Sequence, residues 1–193
     1  MRRHRLDLII EEVRAIEARE GGFSVRIAKE QRVKEKKTSE SRTEISQLML
    51  PQHANIAGTV YGGTLLSIAD SVAYVCASRH AGPSCVTVSV DQVDFREPIR
   101  IGELVNFKAS VNYVGRTSME IGIRIEAENL ETGVKRHTNS CYLTMVALDQ
   151  SGKPTPVPRL ICETDVEKKR FREGQIRREH ARELAEKRKK AGL

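Results

Sequence analysis

A glycine pair, Gly62-Gly63, opens the most apolar stretch of this 193-residue chain, and a lone carboxylate, Asp70, follows inside that stretch. Unpaired backbone N–H groups at the start of a helix can polarise a carbonyl oxygen. A carboxylate about two turns further along can take a proton from water, or act as a nucleophile. Asn55, in the loop ahead of the glycines, has the donor and acceptor needed to orient water or an ester. These are the parts of an acyl-transfer site. Each also has a plainer reading. Most helix aspartates are solvated, asparagines often cap their own loops, and glycines serve helix entries that need positive φ or close packing. Ala69, Val72 and Ala73 around Asp70 favour the chemical reading, because a carboxylate in an apolar setting is a better base than a solvated one.

The elements that must hold these groups can be read from periodicity. From 63 to 80 the residues Leu65, Leu66, Ile68, Ala69, Val72, Ala73, Val75 and Cys76 cover most of a helix circumference, so other structure must wrap it. Ser67, Asp70, Ser71 and Tyr74 form its one polar stripe, and Gly82-Pro83 ends it. The period then changes to two. Val86, Val88 and Val90 alternate with polar residues, as do Val105 to Tyr113, Met119 to Ile125 and Cys141 to Ala147. Gly115-Arg116 and Glu131-Thr132-Gly133 are turn-like joints that imply antiparallel hairpins. Thr43 to Leu50 adds a short strand ended by Pro51. A long helix and an antiparallel sheet with one apolar face give an α+β architecture in which the sheet curls around the helix. Edge-to-edge pairing of such sheets between copies would remove two free edges.

Both ends of the chain differ from this middle. Residues 5–19 place Leu6, Ile9, Ile10, Val13 and Ile16 at helical spacing, stopped by Gly21-Gly22, and 24–42 read as a charged connector, strand-like or loose. The N-terminal extension thus spans 1–37, the main domain 38–162, and a charged, basic helix 163–193 that lies on the surface or against a neighbour. The net charge of +7 divides as +4 over 1–37, −2 over 38–158 and +5 over 159–193. A net basic balance held by the ends and not by the middle, with 4% aromatics, argues against a nucleic-acid binder. No long uncharged apolar run or leader-like segment is visible, which leaves the cytoplasm as the expected location and no membrane partner. Cys76, Cys85, Cys141 and Cys162 stand far apart, and three of them sit in apolar runs, which reads as buried thiols rather than disulfides or a metal site. His53, His80 and His137 make no metal pattern, and Glu97 and Glu103 read as turn residues.

The helix-in-sheet order, with several short motifs, resembles the hotdog fold and, within it, the acyl-CoA thioesterases. The motifs are Ser39-Glu40-Ser41-Arg42, Leu48 to Pro51, Asn55 through Asp70, Val86 to Asp91, Phe95 to Gly102, Gly115 to Glu120, Glu131 to Gly133 and Val146 to Asp149. The resemblance covers about 38–162 and also suits the basic C-terminal helix. It implies hydrolysis of fatty acyl-CoA to free acid and coenzyme A. Asp70 would activate water, the Gly62 and Gly63 amides would polarise the thioester, and Asn55 would come from the partner subunit. It further implies that Arg116, Thr117 and Ser118 hold coenzyme A, with Arg116 on its phosphates. The oligomer implied is a homodimer, assembling as a trimer of dimers. No cofactor is implied beyond the coenzyme A of substrate and product. Tyr61 departs from the histidine that many members carry before the glycine pair. Two other readings stand beside hydrolysis: a hotdog dehydratase or isomerase on acyl thioesters, which usually wants that histidine, and a non-catalytic acyl-CoA-binding sensor.

Overall fold

The protein is described over residues 35–82 and 84–191 in a computed structural model. The helix expected over 5–19 and the first part of the charged connector lie outside the described residues. The chain runs β1 (Glu35–Lys37), α1 (Thr38–Ser41), β2 (Thr43–Leu48), a 3-10 turn (Pro51–His53), α2 (Gly62–Ala81), β3 (Ser84–Phe95), β4 (Leu104–Val114), β5 (Ser118–Glu128), β6 (Lys135–Leu148), β7 (Arg159–Ile161) and α3 (Asp165–Lys190). The last part of the expected connector is therefore ordered as β1 and α1, with β1 pairing in parallel with β7.

The twenty-residue α2 stops where Gly82 takes a φ of +84° and its N–H returns to the Ser78 carbonyl at 2.9 Å. Leu65, Ala69, Val72, Ala73, Cys76 and Ala77 pack on the inner face of a five-stranded antiparallel sheet of order β2-β4-β5-β6-β3. Phe107, Val111, Met119, Ile121, Ile125, Leu143 and Met145 face the helix and are almost wholly buried. Ser67, Asp70, Ser71 and Tyr74 form an exposed stripe along the flank of α2, beside the edge strand β3. One chain thus covers its apolar helix on one side only.

Two bulged strands depart from simple alternation. In β3 the register slips after Thr87 and again after Val90, so Cys85 and Thr87 turn to the inner face, opposite Ala147 and Met145. Val86 and Val88, expected on the helix side, pack instead with Val146 and Leu148 on the outer face. In β4 the extra residue Asn112 turns Tyr113 outward as well. Gly122 leaves room for the Asn112 side chain, which lies directly over it.

That outer face is where α3 docks. Its charged sequence suggested a helix on the surface or against a neighbour; it is largely exposed, and its first turns pack on the same chain. The Tyr113 ring meets Phe171 at 5.1 Å, and at Gly174 an added Cβ would stand 2.8 Å from Tyr113 Cβ. Arg177 donates twice to the buried Glu120 carboxylate, at 2.9 and 2.7 Å, and stacks over Tyr142 at 3.9 Å. The start of α3 is capped by Thr164, and the buried Glu167 carboxylate accepts from the Glu163 and Thr164 amides and from Arg42. Burial works to raise the Glu167 pKa, but the two amides and Arg42 outweigh it and hold it below the ordinary value.

The described cysteines are free, with Cys76, Cys85 and Cys141 buried; burial pushes the Cys76 and Cys141 thiols up to about 12. His80 is buried near the β1–β7 ladder with Nε2 3.0 Å from the Pro158 carbonyl oxygen, and burial lowers its pKa.

Two outcomes follow from these contacts. Arg177→Ala leaves Glu120 buried without its main partner and should cost about 3 kcal/mol of stability, read from denaturant midpoints. The fold favours neutral His80, so the unfolded chain protonates first on acidification. Stability is complete above the ordinary histidine value of about 6.5 and is lost as pH falls through it towards the lower folded value. Midpoints measured stepwise from pH 8 to 5 should show that decline, and His80→Leu should flatten it.

Candidate active site

Asp70 stands at mid-helix on the exposed stripe of α2, above the edge strand β3. The Thr87 hydroxyl donates to its Oδ1 at 2.5 Å, with the Met145 sulfur 3.1 Å from the same hydroxyl. One carboxylate oxygen is thereby fixed while the other stays open on the stripe. Thr87 escaped the sequence reading because strict alternation turns it away from the helix. The first β3 bulge leaves it facing Asp70, and the available signal was a polar residue among valines.

The helix entry is also built for close approach. Neither Gly62 nor Gly63 has positive φ, so packing and not backbone strain is what requires them. A Cβ on Gly62 would stand 3.2 Å from the Phe95 ring, and one on Gly63 would run into the Tyr61 ring. No side chain caps the turn, and the first amides with a backbone acceptor among the described residues are those of Thr64 and Leu65, on the Tyr61 carbonyl at 3.0 and 3.4 Å. The Gly62 and Gly63 amides are the orphan donors of this end. The approach is held from below, where Val60 donates to the Ile99 carbonyl at 2.8 Å. Glu103, read from sequence as a turn residue, is buried and takes Arg136 at 2.5 and 2.8 Å and the Arg100 amide at 2.7 Å. The Arg136 guanidinium holds the Glu103 carboxyl below its usual range.

Asn55 is half-buried and engaged by its own loop. Its Oδ1 accepts from the Ala57 and Thr59 amides at 2.9 and 3.2 Å, and its Nδ2 donates to the Thr59 hydroxyl at 3.0 Å. The plain loop-capping role is therefore real in the single chain. Across the sheet, the Gly115 amide closes the β4–β5 turn on the Ser118 carbonyl at 2.8 Å, and the carbonyls of Arg116 and Thr117 accept from Val157 and Ala147, each at 3.0 Å. Arg116 is exposed, whereas Thr117 and Ser118 are buried.

These groups do not converge within one chain. Gly63 and Asp70 are separated by seven residues of helix, roughly 10 Å along the axis. Thr87 lies opposite Met145, which lies opposite Met119, so the Arg116 turn stands two strands away from Thr87, again roughly 10 Å. The glycine amides and the Asp70 carboxylate of one chain therefore stand too far apart to act on one carbonyl.

Residues 57–134, from the loop before α2 through the β5–β6 joint, match the thioesterase superfamily. Protein VdlD of Helicobacter pylori is 47% identical over 138 residues, which cover 72% of this chain and 78% of that one. The acyl-CoA thioester hydrolase YkhA of Bacillus subtilis is 37% identical over 153 residues, 76% of this chain and 89% of its own length. The chain belongs to the acyl-CoA thioesterase family. Its fold agrees with that membership. An apo-hexameric acyl-CoA thioesterase superimposes with a TM-score of 0.77 at 37% identity, covering 79% of this chain and 98% of that one. The acyl-CoA hydrolase of Staphylococcus aureus, solved with butyryl coenzyme A, coenzyme A and coenzyme A disulfide, gives 0.75 at 37% identity, covering 82% and 98%.

The loop bonds of Asn55 carry their own expectation. Asn55→Ala removes three of them and should lower stability by about 1–2 kcal/mol. Asn55→Asp keeps the acceptor oxygen and should melt closer to the unaltered protein.

Proposed function

We propose that this protein hydrolyses acyl-CoA thioesters to free acid and coenzyme A, at two equivalent sites formed between paired copies of the chain. The observation that carries the reading is the carboxylate–hydroxyl pair of Asp70 and Thr87. It stands on the uncovered stripe of the central helix, roughly 10 Å from the chain's own orphan amides. The Staphylococcus aureus hydrolase adds weight. It has been characterised as alanine variants at an asparagine, an aspartate and a threonine, separated by 15 and then 17 residues. Asn55, Asp70 and Thr87 have the same separations here.

In this reading the thioester carbonyl oxygen of the bound substrate lies on the Gly62 and Gly63 amides of one copy, with Asn55 of that copy beside it. Asp70 of the other copy takes a proton from water as the water oxygen bonds to the carbonyl carbon. The displaced electron pair collects on the carbonyl oxygen, where the two amides stabilise it. Its return breaks the carbon–sulfur bond, and the departing thiolate recovers the proton. Thr87 holds the aspartate in register. Arg116, exposed on the β4–β5 turn, meets the coenzyme A phosphates, with Thr117 and Ser118 shaping that turn. The surface available for pairing is the long edge strand β3, with Val90 and Phe95 exposed on it and Tyr74 exposed on α2. A solved relative is described as hexameric, and the same assembly, a trimer of such dimers, is proposed here.

The test is thiol release from a panel of acyl-CoAs. Asp70→Asn should keep the assembly and lose about a hundredfold or more in kcat. Thr87→Val should lose about tenfold or more, the worth of one hydrogen bond to a charged group. Asn55→Ala and Asp70→Asn chains, each inactive alone, should recover about one quarter of normal activity after being unfolded and refolded together, because half the random dimers carry one intact site. Saturable binding without thiol release would instead mark an acyl-CoA sensor.

A further inference from the structure

The donor set at the helix entry is larger than two amides. Tyr61 is the residue immediately before α2, and its backbone is fixed from both sides: its amide donates to the His53 carbonyl at 2.8 Å, and its carbonyl accepts the first helical bonds from Thr64 and Leu65. With φ at −68° and ψ at 128°, it sends its ring back across Gly63. A Cβ on Gly63 would lie 2.8 Å from the ring carbon that bears the hydroxyl, and 3.0 Å from the hydroxyl oxygen itself. The phenol therefore sits beside the amide assigned to the thioester oxygen. Among the described residues it has no hydrogen-bond partner, and Tyr61 is 57% exposed.

A second unpartnered polar group lies near this turn. Asn139 is 99% buried, and neither its amide nitrogen nor its oxygen has a hydrogen-bond partner. It pairs across the ladder with Phe95, so both side chains stand on the same side of the sheet, and the Phe95 ring is the one that meets Gly62. Buried carboxamides in folded proteins are almost always satisfied, and within the single chain both polar atoms of Asn139 remain open.

We propose that Tyr61 is a further catalytic residue of the thioester site, its hydroxyl donating a third hydrogen bond to the carbonyl oxygen of an acyl thioester as negative charge builds on it. This rests on the hydrolase reading and deepens it. No proton is transferred: the hydroxyl keeps its hydrogen, and the bond strengthens only as the carbonyl becomes an oxyanion. A contact of this kind acts on kcat and leaves substrate binding nearly unchanged.

The experiment compares unaltered protein, Tyr61→Phe and Tyr61→Ala in steady-state thiol release from one acyl-CoA, with Asp70→Asn as the reference for lost chemistry. Tyr61→Phe keeps the ring over Gly63 and removes only the hydroxyl, so its melting temperature should be unchanged. Its kcat should fall about tenfold or more at constant KM, on the scale of a lost oxyanion donor. Three results would overturn the inference: kcat within twofold of normal in Tyr61→Phe; normal kcat in Tyr61→Phe with impairment only in Tyr61→Ala, which makes the ring mere packing; or a raised KM at normal kcat, which makes the hydroxyl a ground-state grip. Absence of thiol release from the unaltered protein sinks the hydrolase reading and this inference together, whereas Asp70-dependent turnover that ignores the hydroxyl sinks this inference alone.

Discussion

The rest of the structure depends on the burial of one helix. The apolar residues of α2 occupy most of its circumference, yet the five-stranded sheet can reach only one side. Burying that side aligns Asp70 with Thr87 at the sheet edge and holds Gly62 over Phe95. The uncovered stripe of Ser67, Asp70, Ser71 and Tyr74 runs along the flank of the helix, past the sheet edge. A partly covered helix with a carboxylate on its open side is an unfinished core, and in the proposed function the same surface serves both assembly and chemistry.

The outer face of the sheet meets the opposite problem. Beneath the helix its side chains are mostly polar, Ser110, Asn112, Glu120 and Ser140 among them, so a second apolar helix is poorly suited to cover it. The charged α3 docks instead through a few satisfied polar contacts: Arg177 on Glu120 and Tyr142, Arg42 on Glu167, and the close approach at Gly174. Such contacts are worth little when exposed and much more when desolvated, and both carboxylates are nearly inaccessible to water. Beside this helix remains a groove of about 770 Å³ lined by Arg42, Lys108, Arg124 and Arg170 together with Glu44 and Glu173. Mixed charge of this kind does not select one ligand.

Much of this was legible in the chain because it follows from local periodicity. The helix was expected over 63–80 and runs Gly62–Ala81, and the hairpins close where Gly115 and Gly133 mark them. The faces of β3 and the end of β4 were misread for one reason. A bulge inserts a residue without changing composition, and every side chain beyond it changes sides. Thr87 was hidden by this, and so was the outward turn of Tyr113. The need for Gly62 and Gly63 was clear, while its cause, two aromatic rings and not positive φ, depended on Phe95, distant in sequence, and on the direction the Tyr61 ring takes. Glu103 is the turn residue it looked like, its amide bonding back to the Arg100 carbonyl, but its burial was not legible because its partner Arg136 lies on β6, thirty-three positions further along.

By itself, then, the sequence determined the elements, their order, the apolar face of each strand where alternation is unbroken, and the candidate pair of glycine amides and helix carboxylate. These are set by hydrogen-bond geometry and side-chain period over a few residues. The tertiary structure decided which hydroxyl meets Asp70, what lies on the glycines, and where the charged helix rests. Those outcomes depend on strand register and on packing between segments far apart in the chain. Registers are chosen by the total burial of the sheet, a quantity no local stretch of residues contains.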